Sequence, residues 1–178
     1  MKITYFVHGT TTDNEIDLAT GWADGQLSKL GIEQSKKLGE LVADKKFDVV
    51  FSSDLKRALD SARLAFGHKY EIITDKRLRE VNYGDFTGKP DGFKNNLAKY
   101  INKPFPNGES YKDVEKRVAD FLKEVSEKYA GQHIAIVAHQ APQLALDVLL
   151  KNKTWEQAIL EDWRRTKSWR AGWEYIYD

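Results

Sequence analysis

The sequence predicts a three-layer α/β/α sandwich around a mostly parallel central sheet. Three observations carry this: short β-branched and aromatic runs, amphipathic segments at helical spacing between them, and capping residues at the junctions. Residues 2–7 form the first uninterrupted run, which stops at Gly9 and leaves His8 at a strand's carboxyl end. After a polar loop, Ser28 is placed to cap a helix with Leu30, Leu38, Leu41 and Val42 broadly on one face. DVVFSS at 48–53 reads as a second strand, and Asp54 as the cap of a helix turning Leu55, Ala58, Leu59, Ala62 and Phe66 inward. Residues 71–74 give a third strand. Gly84, Gly88, Pro90 and Gly92 then mark an irregular stretch that continues, after a short helix near 93–100, into PFPNGE; together these form a cap or insertion around 84–109. Ser110 with Asp113 opens a long helix carrying Val114, Val118, Phe121, Leu122 and Val125 at helical spacing. HIAIVAH at 133–139 has the near-continuous apolar character of a strand buried on both faces. An apolar helix follows from Ala141 to Leu150, with Pro142 tolerated in its first turn. The tail holds a helix from Trp155 to about Trp163 and a last strand at WEYIYD. With no repeats and no low-complexity tract, residues 1–178 are expected to form a single domain.

Composition narrows the function. The charges nearly cancel, 28 Lys and Arg against 27 Asp and Glu, so neither nucleic acid nor a membrane surface is expected as a partner. A small anion would have to be held by a local cluster. The absence of cysteine removes thiolate nucleophiles, thiolate metal sites and disulfides. The apolar start, MKITYFVHGTT, meets a histidine and a glycine too soon for a signal or membrane helix, so a cytoplasmic location is expected.

In open α/β sheets the ligand crevice lies beyond the carboxyl ends of the strands, where His8, Ser52, Ser53 and His139 fall. One histidine there ordinarily closes a strand by hydrogen bonding; two can meet. A neutral imidazole can attack phosphorus, provided that nearby donors or cations offset charge on the phosphoryl oxygens. His139 is a candidate donor. Arg57, in the first turn of the helix after 48–53, has a fork suited to bidentate phosphate binding, although alone it reads as a surface residue. Glu80, in RLREVNYGDF, is the best carboxyl candidate for protonating a leaving alkoxide; its structural alternative is a salt bridge with Arg77 or Arg79. No metal or other cofactor is expected, because His8 and His139 lack an acidic cluster with ligand spacing.

Over most of its length the chain resembles the histidine phosphatase superfamily, also called phosphoglycerate mutase-like. FVHGTTTDN at 6–14 resembles that family's first strand and Arg-His-Gly signature, SSDLKRALDSA at 52–62 its second arginine segment, and LREVNYGDFTG at 78–88 its acid-base segment. FPNGES at 105–110 resembles its Gly-Glu-Ser signature, and IVAHQAP at 136–142 the segment of its second histidine. Five segments in the family's order are a specific signal, whereas a lone His-Gly would be weak. The resemblance implies a phosphoglycerate mutase-like fold, His8 as nucleophile, phosphate binding by Arg57, Asn14, Thr10 and His139, and Glu80 as proton donor.

The chain departs from the pattern as well. Val7 stands where the family has the arginine of Arg-His-Gly, Thr10 where it usually has glutamate, and Gln140-Ala141-Pro142 where Gly-Gly commonly follows the second histidine. A hydrogen bond to a charged group contributes about 1.5–3 kcal/mol, so one lost cation costs about ten- to 150-fold if nothing compensates. Arg164, Arg165, Lys167 and Arg170 are candidates for a substitute; otherwise they are solvated or pair with Glu161, Asp162 or Glu174. The leading expectation is a metal-independent phosphatase of small phosphorylated metabolites acting through phosphohistidine. Phosphoglycerate mutase-type transfer is a second, disfavoured by the modest 89–104 stretch, and a non-catalytic phosphate-ligand binding protein a third. Most of the five tryptophans are expected in the core.

Overall fold

In the computed structural model, which describes residues 1–178, five strands form one sheet in the order β3-β2-β4-β1-β5: β1 (Lys2–Val7), β2 (Val49–Ser52), β3 (Ile72–Thr74), β4 (His133–Ala138) and β5 (Trp173–Ile176). The first four run parallel, and β5 pairs antiparallel with β1. Alternation along the strands divides the core between the two faces. Ile3, Tyr5, Val49, Phe51, Ile134 and Ile136 pack with the larger apolar cluster, under α4 (Tyr111–Lys128), α5 (Gln140–Lys151) and α6 (Trp155–Leu160). Phe6, Val50, Ala135 and Val137 face the smaller cluster, covered by α2 (Lys29–Leu41) and α3 (Lys56–Phe66). The expected layers and strand direction are therefore present.

The capping signals were uneven guides. The Ser28 hydroxyl accepts the Gly31 N–H, and Ser110 and Asp113 form a reciprocal capping box. Asp54 does not cap α3: Leu55 occupies that position without a side-chain cap, because the Asp54 carboxylate is taken by Arg79 at 2.5–2.7 Å. Leu30 and Leu41 do not face inward either, being 49% and 53% exposed. The buried side of α2 is Gly31, Ser35 and Leu38.

The irregular middle contains 3-10 turns, the longest spanning Asp91–Tyr100 with a kink at Asn96 where a short helix was expected. Tyr100 stacks on Phe105 at 3.8 Å, and both join the larger core cluster. The expected tail helix divides into α6 and α7 (Trp163–Thr166) at Glu161 and Asp162, whose side chain caps α7. A further short helix, α1 (Thr12–Glu15), lies in what read as a polar loop. No helix is long and apolar enough to cross a membrane.

Candidate active site

The parallel register pairs Val7 with Ala138, so the residues that follow, His8 and His139, emerge side by side. Their ring centroids lie 5.0 Å apart. The His8 Nδ1–H donates to the Gly9 carbonyl at 2.7 Å, which fixes the tautomer and leaves Nε2 with its lone pair. Burial, reinforced by Arg57, lowers its pKa to about 3, so the ring is neutral at pH 7. Burial, with Arg57 and His8 beside it, likewise pushes His139 well below the usual histidine range. The His139 ring is fully enclosed with neither nitrogen hydrogen-bonded. Its main chain is pinned by Tyr5, whose hydroxyl donates to the His139 carbonyl at 2.6 Å and accepts its N–H at 2.9 Å.

Two glycines let this mount close tightly. A Cβ on Gly9 would lie 2.3 Å from the Gly31 carbonyl oxygen, and one on Gly31 would lie 1.9 Å from that of Thr10. The first turn of α2 therefore touches the loop after His8 main chain to main chain.

Glu80 lies against the start of α5. Its Oε1 accepts the Val81 and Ala141 N–H groups at 3.0 and 2.9 Å, and Oε2 accepts that of Gln140 at 3.2 Å. The alternative of a salt bridge with Arg77 or Arg79 is not realised: Arg77 binds Asp75 and Glu124, and Arg79 binds Asp54. The Glu80 carbonyl is held by Trp22 Nε1 at 2.6 Å and the Arg117 guanidinium at 3.0 Å. Glu109, in FPNGES, in turn holds Arg117 and the Asn82 N–H. These supports, Trp22, Glu109 and Arg117, were not singled out in the sequence. The resemblance marked Glu109 only as part of a signature, and nothing flagged Arg117.

A cleft of about 990 Å³ opens over His8. Val7, His8, Thr10, Asn14 and Glu80 line it from the strand side, Lys94 from the middle segment, and Arg164, Arg165, Lys167 and Trp169 from the tail. Thr10 donates from both its N–H and its hydroxyl to Gln34 Oε1 at 2.9 Å. Asn14 spends its carbonyl oxygen on the Thr11 N–H in a capping box. Arg57 is not at the surface but 2% exposed behind the cleft wall, donating to the Gly21 and Ala23 carbonyls at 2.7 and 3.2 Å. Ser52 and Ser53 are also buried, their hydroxyls used within their own turn, and neither lines the cleft. Of the four tail cations, Arg170 does not line the cleft. Arg164 pairs with Asp162 at 3.0 Å, and Arg165 donates to the Lys94 carbonyl at 3.0 Å.

Lys94 sits in the 3-10 segment and pairs with Asp91 at 2.9 Å. Lysine in a polar stretch carries no sequence signal of this placement. Among the tryptophans, Trp155 and Trp173 are buried, whereas Trp169 is 52% exposed on the cleft rim. No group of three or more His, Asp or Glu side chains is placed to hold a metal ion.

Comparison with known proteins agrees with this architecture. Residues 5–169 match the model of the histidine phosphatase superfamily (branch 1). The phosphoglycerate mutase of Schizosaccharomyces pombe is 33% identical over 170 residues, covering 85% of this chain and 80% of that protein. Phosphoserine phosphatase 1 of Hydrogenobacter thermophilus is 28% identical over 156 residues, covering 82% and 74%. The alpha-ribazole phosphatase of Shigella flexneri superposes with a TM-score of 0.77 at 29% identity, over 89% of this chain and 83% of that one. Phosphatases and mutases thus both stand among its relatives, and the chain belongs to the histidine phosphatase superfamily.

Proposed function

We propose that this protein is a phosphatase of small-molecule phosphomonoesters, acting through phosphohistidine on His8 with side chains alone offsetting the phosphoryl charge. The observation that carries the proposal is the His8 Nδ1–H bond to the Gly9 carbonyl at 2.7 Å. It presents a neutral imidazole with Nε2 free, in a cleft whose tail and middle segment supply cations. Nε2 attacks phosphorus as the ester P–O bond breaks, and the departing alkoxide takes a proton from Glu80. Water then attacks the phosphoramidate and gives its proton to Glu80, releasing phosphate and restoring His8. Glu80 Oε2, with its single backbone donor, is the oxygen with a lone pair to spare for that proton. The Asn14 amide nitrogen is assigned to the phosphoryl oxygens and Thr10 to their rim, with the enclosed His139 ring and the fixed positive charge of Arg57 behind them.

Val7 stands where the family resemblance puts an arginine, and we assign the missing cation to Arg164, which lines the cleft and carries charge close enough to His8 to lower its pKa further. Hydrolysis is favoured over mutase-type transfer because the segment over the cleft is a single kinked 3-10 run, Asp91–Tyr100, and a cleft of about 990 Å³ stays open in front of His8. A phosphoenzyme awaiting transfer must be shielded from water.

The test is turnover of sugar phosphates, phosphoglycerates and an aryl phosphate with chelator present, followed by trapping of the intermediate. Acid-labile, base-stable label on His8, lost together with activity in His8→Ala, is the expected result. Undiminished turnover by His8→Ala removes the covalent mechanism. Fast primer-dependent interconversion of phosphoglycerates with little phosphate release makes the protein a mutase. Phosphate binding without any turnover makes it a binding protein.

A further inference from the structure

Asp162 is the most enclosed carboxylate on the cleft wall, its side chain 1% exposed, and the proposed chemistry does not use it. It is bound from two directions. Oδ1 accepts both the Arg164 main-chain N–H and its guanidinium at 3.0 Å, while Oδ2 accepts from the Gln140 side-chain amide. Gln140 follows His139 directly, and its own N–H donates to Glu80 Oε2. The Asp162 carbonyl accepts the Arg165 and Thr166 N–H groups, so this residue also starts α7. A buried carboxylate is costly unless every lone pair is used. Here the donors that use them come from the proposed cation on one side and the turn that holds the proposed acid on the other.

Resting on the phosphatase reading above, we propose that Asp162 is a positioning residue: its buried carboxylate aims Arg164 at the phosphate position and ties the tail to the Gln140 turn that seats Glu80. The Arg164 guanidinium also packs over the Trp163 ring, 4.4 Å from the centroid, and Trp163 stacks on Trp173 of β5 at 5.6 Å. Arg164 is thus fixed by a carboxylate at one edge and an aromatic face at the other. Such fixing costs no rearrangement when the anion arrives.

The consequence is a coupling between residues 162 and 164 that a merely structural aspartate lacks. The experiment is calorimetric binding of inorganic phosphate, with chelator present, to wild type, Asp162→Asn, Arg164→Met and the double variant. Wild type is expected to bind. Each single variant should weaken binding by about tenfold or more, the scale of one charge-assisted hydrogen bond, and the double variant should bind about as poorly as Arg164→Met alone. For turnover, Asp162→Asn should raise KM more than it lowers kcat, and Asp162→Glu should recover part of the loss. Should Asp162→Asn fail to fold, Gln140→Ala and Arg164→Lys keep the question open to test, and equal phosphate affinity in wild type and Arg164→Lys would count against an aimed guanidinium. Unchanged phosphate affinity in Asp162→Asn, or losses that simply multiply in the double variant, overturns the proposal. A wild type that binds no phosphate overturns the site assignment itself, whereas one that binds but forms no phosphohistidine overturns only the catalytic reading.

Discussion

At the ends of β1 and β4 the cleft residues are held by hydrogen bonds to the main chain, whereas on the tail the guanidinium of Arg164 is held by other side chains. His8 bonds a carbonyl, Glu80 accepts three backbone N–H groups, and Tyr5 clasps both backbone groups of His139. On the opposite wall Arg164 depends on the Asp162 carboxylate and a tryptophan face, and Arg165 and Lys167 are exposed. The first arrangement suits chemistry that must not move. The second can change with one substitution, and under the proposed function the difference should separate rate from recognition.

The comparison breaks most sharply at His8. His8→Ala is expected to lower turnover by at least about 10⁴-fold, as loss of a nucleophile does elsewhere, with little change in phosphate affinity. Equal loss of both would mean that His8 binds phosphate and does not attack it. Next comes Glu80→Gln, expected to slow sugar phosphates by about 10²–10⁴-fold and aryl phosphates much less, since an aryl oxide departs without full protonation. Similar losses on both substrates would reassign Glu80 to positioning. On the tail wall, replacing the cations by Met one at a time should weaken phosphate or vanadate inhibition about ten- to 150-fold at Arg164 and leave Arg170 near wild type. If every Met variant keeps its affinity and Val7→Arg strongly raises activity, the tail does not replace the cation.

A smaller effect concerns pH. With the His8 pKa lowered to about 3, kcat/KM, corrected for substrate ionisation, should stay level between pH 7 and pH 5, where an ordinary histidine would be protonated. An acid limb near 6.5 in the corrected profile would show a charged or exposed ring. Stability moves the other way. The unfolded chain takes up a proton on His8 below about pH 6.5 while the fold refuses it until about pH 3. The contribution of His8 is therefore full above that range and is lost as the pH falls through it. Smallest of all, Tyr5→Phe should cost about 1–3 kcal/mol in denaturant unfolding by leaving the His139 N–H unpaired, and a loss well under that would mean water replaces the hydroxyl.

How much of this was legible follows the same division. The strand ends were readable because uninterrupted apolar runs terminating in His8 and His139 carry both a period and a stop. Capping boxes at Ser110 were readable for the same local reason. Asp54 misled because a cap competes with any distant cation, here Arg79 at 2.5 Å, and sequence spacing does not report the competitor. Leu30 and Leu41 misled because α2 rests on the body through Gly31 and Ser35, small residues that hydrophobic patterning overlooks. Arg57 was marked for phosphate binding, but its depth was not legible, because an arginine satisfied by two carbonyls of a distant loop has no local signature. Lys94 and Arg117 became visible only in three dimensions, Lys94 because it enters the cleft from an irregular segment and Arg117 because it holds the Glu80 carbonyl, 37 residues away. Asp162 read as a pairing partner for the tail cations, as it is for Arg164, but its bond to Gln140, 22 residues away, has no local signature.

The contact between Gly9 and Gly31 bears on how this protein can be redesigned. With a prospective Cβ 1.9 Å from the Thr10 carbonyl oxygen, even alanine at 31 pushes α2 away from the loop that follows His8. No side chain there can be trimmed or enlarged to make room for a different molecule. Libraries aimed at new substrates should therefore spare both glycines and randomise the stretches around Lys94 and Trp169, where the cleft is bounded by atoms that evolution or an engineer can exchange one at a time.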